Sequence, residues 1–514
     1  MQLCKGGLVA TAVFLTQSAV WAAGPFFNIA DYGAKNDGSA PATQAIRSAI
    51  QAAKAAGGGT VFIPAGNYTT GPFALASNLV LDIGAGATLH FPADRAELTY
   101  SKGRMEGVEG ITPDPLINIR DLENVTITGR GTITTNNADW MKVANHPDAR
   151  SAWMGILRSI EMKQPVPESE YQKAAPALRP AFIRTMNSKN VHINGIHIVG
   201  SSFWTIHVLY SNNVVIDGVT IETYPGHNTD GVDVDSSSDV RIANCYIDTG
   251  DDGIVLKSGK DRDGRRVNRP TERVAIVNCT VHHAHGAVVV GSETSGGVRD
   301  VVASNIVCDG TDKGVRVKST RGRGAVVEDL TFDHWTMRNV PMAINVTNYY
   351  TRVPQEPVSD RTPIFRNINV SNMIIEGSPT IIDVEGLPEM PISSLRISNI
   401  VASGKVGMRA YNTDDMELHN VQLNAESGPT ILVRDSKNLE LDAVTTRKAV
   451  EGMPVVRLDH CPGTILRASK AFSGTGTFLS VAPGELKDVK LVGNVLDAAS
   501  KPTEESAKDY WKSN

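Results

Sequence analysis

The run Val191-His192-Ile193-Asn194, opened by Asn190, decides the fold because the chain keeps repeating it. Equivalent openings follow at Asn213-Val214, Asp239-Val240, Arg273-Val274, Asp300-Val301, Asp329-Leu330, Asn367-Ile368, Ser394-Leu395, Asp415-Met416 and Asn438-Leu439, at intervals of 23, 26, 34, 27, 29, 38, 27, 21 and 23 residues. Each run alternates apolar and polar residues, the pattern of a strand with one buried face. Sandwiches and barrels place turn signals about every 8–12 residues. A period in the twenties instead fits an all-β solenoid whose coils each hold several short strands and turns. Stacked about 4.8 Å apart, such coils form parallel sheets along the molecule, with Val, Ile and Leu ladders inside and Asn and Asp at the corners.

A solenoid coil cannot bury its apolar face alone, so the ends need covers. Ser39 with Pro41 marks a helix start, Ile46, Ala49, Ile50 and Ala53 supply an apolar face, and Gly57-Gly58-Gly59 ends it. One long domain is therefore expected over residues 23–500. Within it, residues 136–180 carry two Trp, several Pro and mixed charge without coil rhythm, which reads as a loop insertion near the binding face. Residues 501–514 read as a polar surface tail. Residues 1–22 read as a signal peptide, with Lys5, the apolar Leu8 to Leu15 and the small-residue site Val20-Trp21-Ala22. The protein is accordingly expected to be secreted or periplasmic.

Composition narrows the partners. The body has no apolar run of 18 or more residues, so no membrane span is expected. The net charge of -5 becomes -6 once Lys5 is removed with the leader, and an acidic chain is a poor binder of nucleic acid. Cys245, Cys279, Cys308 and Cys461 show no zinc spacing and read as buried, reduced core residues, the first two stacked on neighbouring coils. A monomer is the expectation for a capped solenoid.

Asn228-Thr229-Asp230-Gly231 and Gly250-Asp251-Asp252-Gly253 place three carboxylates within strand-like sequence, where uncompensated charge is costly and points to chemistry. Asp230 and Asp251 are 21 residues apart, about one coil, and so share a face. Successive strand residues point to opposite sides, so Asp251 and Asp252 both reach a cleft only if the backbone bends, as Gly250 and Gly253 allow. Clustered carboxylates suit glycosidic hydrolysis, one giving a proton to the leaving oxygen and another serving water or carbon; mutual repulsion would keep one of them protonated. His285-Gly286 and then Arg316-Val317-Lys318 follow on successive coils. Arg316 and Lys318 point the same way, a pair of cations suited to a sugar acid.

The ordered series Asn-Thr-Asp, Gly-Asp-Asp, His-Gly and Arg-x-Lys, with Asp31-Tyr32-Gly33-Ala34 near the start, resembles glycoside hydrolase family twenty-eight, the polygalacturonases. The resemblance implies a single-stranded right-handed parallel β-helix of the pectin lyase-like kind and inverting hydrolysis of α-1,4-galacturonosidic bonds in pectin. It implies Asp251 as general acid, Asp230 with Asp252 as the pair activating water, and His285 tuning the acid. Asn228, Arg316 and Lys318 would hold the sugar, with Tyr349 as the aromatic beyond the basic pair and Tyr350 the competing assignment. Lys257 joins the substrate-binding set and opens Lys257-Ser258-Gly259-Lys260-Asp261-Arg262-Asp263-Gly264-Arg265-Arg266, which with Gly291-Ser292-Glu293 resembles the exo-acting bacterial branch. Neither a metal nor an organic cofactor is implied; the partner is an acidic plant cell-wall polysaccharide or its oligogalacturonides. Two departures stand out, Ala284 before the histidine and Val317 between the cations, the latter pointing inward.

Competing readings are a rhamnogalacturonan or substituted-pectin hydrolase, a calcium-dependent pectate lyase, and a noncatalytic pectin-binding β-helix. Asp233, Asp235 and Asp239 are read as solvated, turn-capping carboxylates, and His282 and His283 as local surface.

Overall fold

The structure, a computed structural model, describes residues 24–351 and 356–511; the expected signal peptide lies outside them. The polar residue that opens each repeat has a specific backbone reason to be polar. Asn190, Asn213, Asp239, Arg273, Asp300, Asp329, Asn367, Ser394, Asp415 and Asn438 all have φ between 49° and 57°, the left-handed region that Asn and Asp tolerate best among side-chain-bearing residues. Their amides also stack from coil to coil, Asn124 donating to Asn78 at 2.9 Å, Asn190 to Asn124 at 3.0 Å and Asn213 to Asn190 at 2.7 Å.

Each regular coil contributes three strands. Ile206–Leu209, Asn212–Asp217 and Thr220–Glu222 pair in parallel with Val232–Asp235, Ser238–Ala243 and Tyr246–Asp248, and these with Ile254–Lys257, Thr271–Val277 and Thr280–His282. In-register stacking puts like on like in the interior: Val125, Val191, Val214, Val240, Val274, Val301, Leu330, Ile368 and Leu395 form one continuous buried ladder. The molecule is thus a parallel β-helix. Helix α1 (Thr43–Ala55) covers its first coil with Ala45, Ile46, Ala49, Ile50 and Ala53. Cys245 and Cys279 sit on successive coils, and all four described cysteines are free and buried.

Three expectations need correction. Residues 136–180 form helices rather than a loop: α2 (Asn137–Val143), α3 (Pro147–Glu161) and α4 (Glu168–Ala174). Trp153 and Ile156 of α3 join Met105, Ala174, Leu178, Phe203 and Trp204 in a second apolar cluster outside the coil. The helix also runs beyond residue 500, because Lys501–Glu505 pairs in parallel with Thr477–Val481. Its polar sequence hid it, since a final strand with an open edge has little apolar surface to bury. Finally, Asp233 and Asp235 are wholly buried in a strand, and only Asp239 stands at an exposed corner, paired with Arg273 at 2.8 Å.

Asp235 is covered by an antiparallel hairpin, Tyr100–Met105 with Val108–Pro113, laid across the outer face of the sheet, and Asp233 lies against Lys257. Arg104 reaches Asp235 at 2.6 Å. The hairpin tip is held by Lys260, whose N–H donates to the Gly107 carbonyl at 2.9 Å. Beside it, Asp263 in helix α5 (Asp261–Val267) accepts from the Glu109 N–H at 2.8 Å. Among the described residues no helix is long and apolar enough to cross a membrane.

Candidate active site

Asp230 precedes the strand Val232–Asp235, and Asp251 and Asp252 precede Ile254–Lys257 one coil on, with the Gly231 N–H donating to the Asp252 carbonyl at 3.0 Å. Asp252 is therefore the true register partner of Asp230. Asp251 and Asp252 occupy the turn before the strand, where the Asp252 N–H donates to Asp251 Oδ1 at 2.9 Å; that turn brings both side chains to one cleft. Gly250 permits it, because a Cβ there would lie 2.0 Å from the Gly226 carbonyl oxygen. One oxygen from each of Asp230, Asp251 and Asp252 lies within 4.8 Å of the others.

The three carboxylates differ in environment. Asp230 is 3% exposed; burial, opposed by Lys257 and reinforced by Asp251 and Asp252, pushes its pKa up to about 7. Asp252 is equally buried, yet Lys318 Nζ at 2.8 Å and Arg316 at 3.2 Å outweigh that burial and hold it well below the usual carboxylate range. The Asp251 side chain is 20% exposed and the most accessible of the three. Burial raises its proton affinity, but the hydrogen bond with His285 Nδ1 at 3.1 Å and the charges of His285 and Lys257 bring it below the usual value. That same bond raises His285. Burial, with repulsion added, thus gives Asp230 a higher proton affinity than Asp251.

Arg316 and Lys318 lie side by side as their spacing requires, both largely buried, and Nε of Arg316 has no hydrogen-bond partner. Tyr350 faces them, its ring centroid 5.9 Å from Arg316 and 5.6 Å from Lys318, while Tyr349 is 37% exposed. Asn228 adopts φ 54° at the cleft. Its Oδ1 accepts from Arg179 at 3.0 Å, and since Arg only donates, it is the amide oxygen and not the nitrogen that faces Arg179. Lys257 is the residue that departs from expectation. Its side chain is 8% exposed and enclosed by carboxylates. Ala284 and Val317 are both buried, so neither departure touches the cleft.

A family model described as glycosyl hydrolases family 28 matches residues 168–377, and one described as rhamnogalacturonase A/epimerase, pectate lyase-like matches residues 26–150. A probable polygalacturonase of Vitis vinifera is 30% identical over 411 residues, 77% of this chain and 78% of the relative. The chain belongs to glycosyl hydrolase family 28. Another relative, an exo-poly-alpha-D-galacturonosidase of Dickeya chrysanthemi, is 29% identical over 78% of this chain and 71% of its own length. The crystal structure of an exopolygalacturonase from Thermotoga maritima superposes with TM-score 0.70 and 31% identity, covering 75% of this chain and 90% of that one. The chain is a glycoside hydrolase by family.

Sequence reading missed several residues of this family 28 site. Arg179 positions Asn228, Trp204 and Glu293 surround Lys257, and Asn137 Oδ1 accepts from the His227 N–H at 3.1 Å. A helical spacing in Ala149, Trp153 and Ile156 was the available signal that the insertion is an ordered wall.

Proposed function

We propose that this protein hydrolyses α-1,4-galacturonosidic bonds of polygalacturonan from a chain end, outside the cytoplasm, by inversion. The observation that carries the substrate is the pair Arg316 and Lys318 at the floor of the cleft beside Asp252, a fork and a point charge suited to a sugar carboxylate. Asp251, the most accessible carboxyl, is the acid. An arriving galacturonate adds negative charge and displaces water, and both effects raise its proton affinity. Asp230 and Asp252, whose nearest oxygens fall within the 4.8 Å cluster, hold the attacking water between them. Asn228 and Tyr350 steady the sugar. Inversion comes from the family resemblance, since the cluster is tighter than the roughly 6.5–9.5 Å usual for inverting carboxyl pairs.

Exo action is supported by the Dickeya and Thermotoga relatives and by the hairpin, whose tip meets Lys260 and crosses the sheet beside the triad. Time-resolved product analysis on polygalacturonic acid tests it. Monomer or dimer alone is expected from the outset, whereas a ladder of oligomers contradicts end-wise attack. Ultraviolet-absorbing unsaturated ends, lost with chelator, would overturn hydrolysis itself. Proton NMR of the first anomer formed decides inversion.

A further inference from the structure

Lys257 closes the strand Ile254–Lys257, with its side chain on the covered outer face. Its Nζ lies 3.3 Å from Asp230 Oδ2, 3.2 Å from Asp233 Oδ1 and 3.6 Å from Glu293 Oε2. The Trp204 ring closes the remaining side, 3.8 Å from Nζ to its centroid. The ammonium donates to Asp230 Oδ2, and with three carboxylates and an aromatic face around a side chain only 8% exposed, a substrate carboxylate has no open approach to it. Direct sugar binding, the role expected from sequence, does not fit.

Three acids share this one cation. Asp233 is fully buried, and neither of its oxygens accepts a well-formed hydrogen bond. Burial first and then the charge of Asp230 hold its pKa well above the usual value. Lys257 donates to Asp230 at 3.3 Å, and Glu293 stands at 3.6 Å as a competitor for the same ammonium. The other charged groups near this pair are Asp251, Asp252 and Lys318 on the cleft side, Arg179 from the insertion, and His207. Burial opposes the charge of Lys257, but Glu293, Asp230, Asp233 and Asp252 outweigh it and hold its pKa well above the ordinary value.

We propose that Lys257 is a positioning residue: fixed over the Trp204 ring, its ammonium holds Asp230 Oδ2 so that Asp230 ionises and its other oxygen serves the attacking water. Glu293 sets the strength of that hold by competing for the same ammonium. The inference rests on the hydrolase reading, with Asp230 as part of the base.

The test is the pH profile of kcat/KM on polygalacturonate for the full chain and for Lys257→Met, Lys257→Arg and Glu293→Gln. Lys257→Met is expected to move the acidic limb to higher pH by about one unit or more, with KM unchanged, and Lys257→Arg to restore most of the profile. Glu293→Gln is expected to move the limb the opposite way, because Asp230 then has the ammonium to itself. A raised KM with an unmoved limb in Lys257→Met would make Lys257 a substrate ligand and overturn the proposal. Should Lys257→Met fail to fold, the downward shift in Glu293→Gln decides, and an unmoved or upward limb there refutes it. A wild-type chain that releases no reducing sugar sinks the hydrolase reading instead. The carboxyl carbon-13 titration of Asp230 in wild type and Glu293→Gln then reads the same downward shift without substrate, and equal titrations reject the hold.

Discussion

Replacing Arg104 with Met removes the one cation that ties the hairpin to the sheet at Asp235, 2.6 Å away, with both side chains wholly buried. Burial by itself raises the Asp235 pKa, but Arg104 and the hydrogen bond from His207 outweigh it, and the group lies well below the usual carboxylate value. A depressed folded value contributes stability above the unfolded value of about 3.9, and that contribution is lost as pH falls through the folded one. Without Arg104 the sign reverses. Burial then dominates, Asp235 rises above its unfolded value, and the penalty grows with pH by about 1.4 kcal/mol per unit. It reaches about 3–5 kcal/mol, the cost of breaking a buried pair from one side. His207, 3.4 Å from Asp235, offsets part of this only where it is protonated. Hydrogen exchange of the hairpin amides Gly103 to Gly110 reads the effect locally. Acceleration of ~10²–10⁴-fold is expected near neutrality, shrinking toward about pH 4. As the hairpin loosens, the product pattern on polygalacturonate should broaden from monomer and dimer toward longer oligomers. Protection that is unchanged, or lost equally at both pH values, would refute the account of the hairpin as a charge-anchored wall.

Asp251→Asn removes the proton donor while keeping the hydrogen-bonding shape, so kcat is expected to fall by about 10²–10⁴-fold with circular dichroism and KM preserved; retained turnover would reassign the acid. Tyr350→Ala should raise KM for polygalacturonate and Tyr349→Ala should leave it alone, since only Tyr350 faces Arg316 and Lys318; the reverse order would restore the sequence-based choice. Arg179→Met frees the Asn228 amide to rotate and leaves its oxygen without a charged donor, and a loss of roughly tenfold or more in kcat/KM is expected while α2 to α4 stay folded. Identical kinetics would remove Arg179 from the site.

The coil, the inward ladders, the capping helix and the order of Asp230, Asp251, Asp252, His285, Arg316 and Lys318 were legible in the chain because each rests on spacing. A solenoid converts sequence distance into height along one axis, so residues one coil apart are neighbours without any knowledge of the rest. Even the corner residues announce themselves, since Asn and Asp at positive φ are a local backbone requirement. The hairpin, the helical wall and the enclosure of Lys257 were not legible, and spacing left Tyr349 and Tyr350 as alternatives. Arg104 meets Asp235 across 131 positions, and Arg179 meets Asn228 across 49; contacts that leave the coil follow no period. Asp235 shows the difference most plainly: its alternating Asp and Ser surroundings look like a wet corner, and only Arg104 of the hairpin laid over it makes it a buried acid. By itself the sequence determined which residues share the cleft, because stacking is periodic. Tertiary structure decided which of them are open to substrate, which are held by a buried partner and where the proton rests, because burial and charge pairing depend on what the chain folds over them.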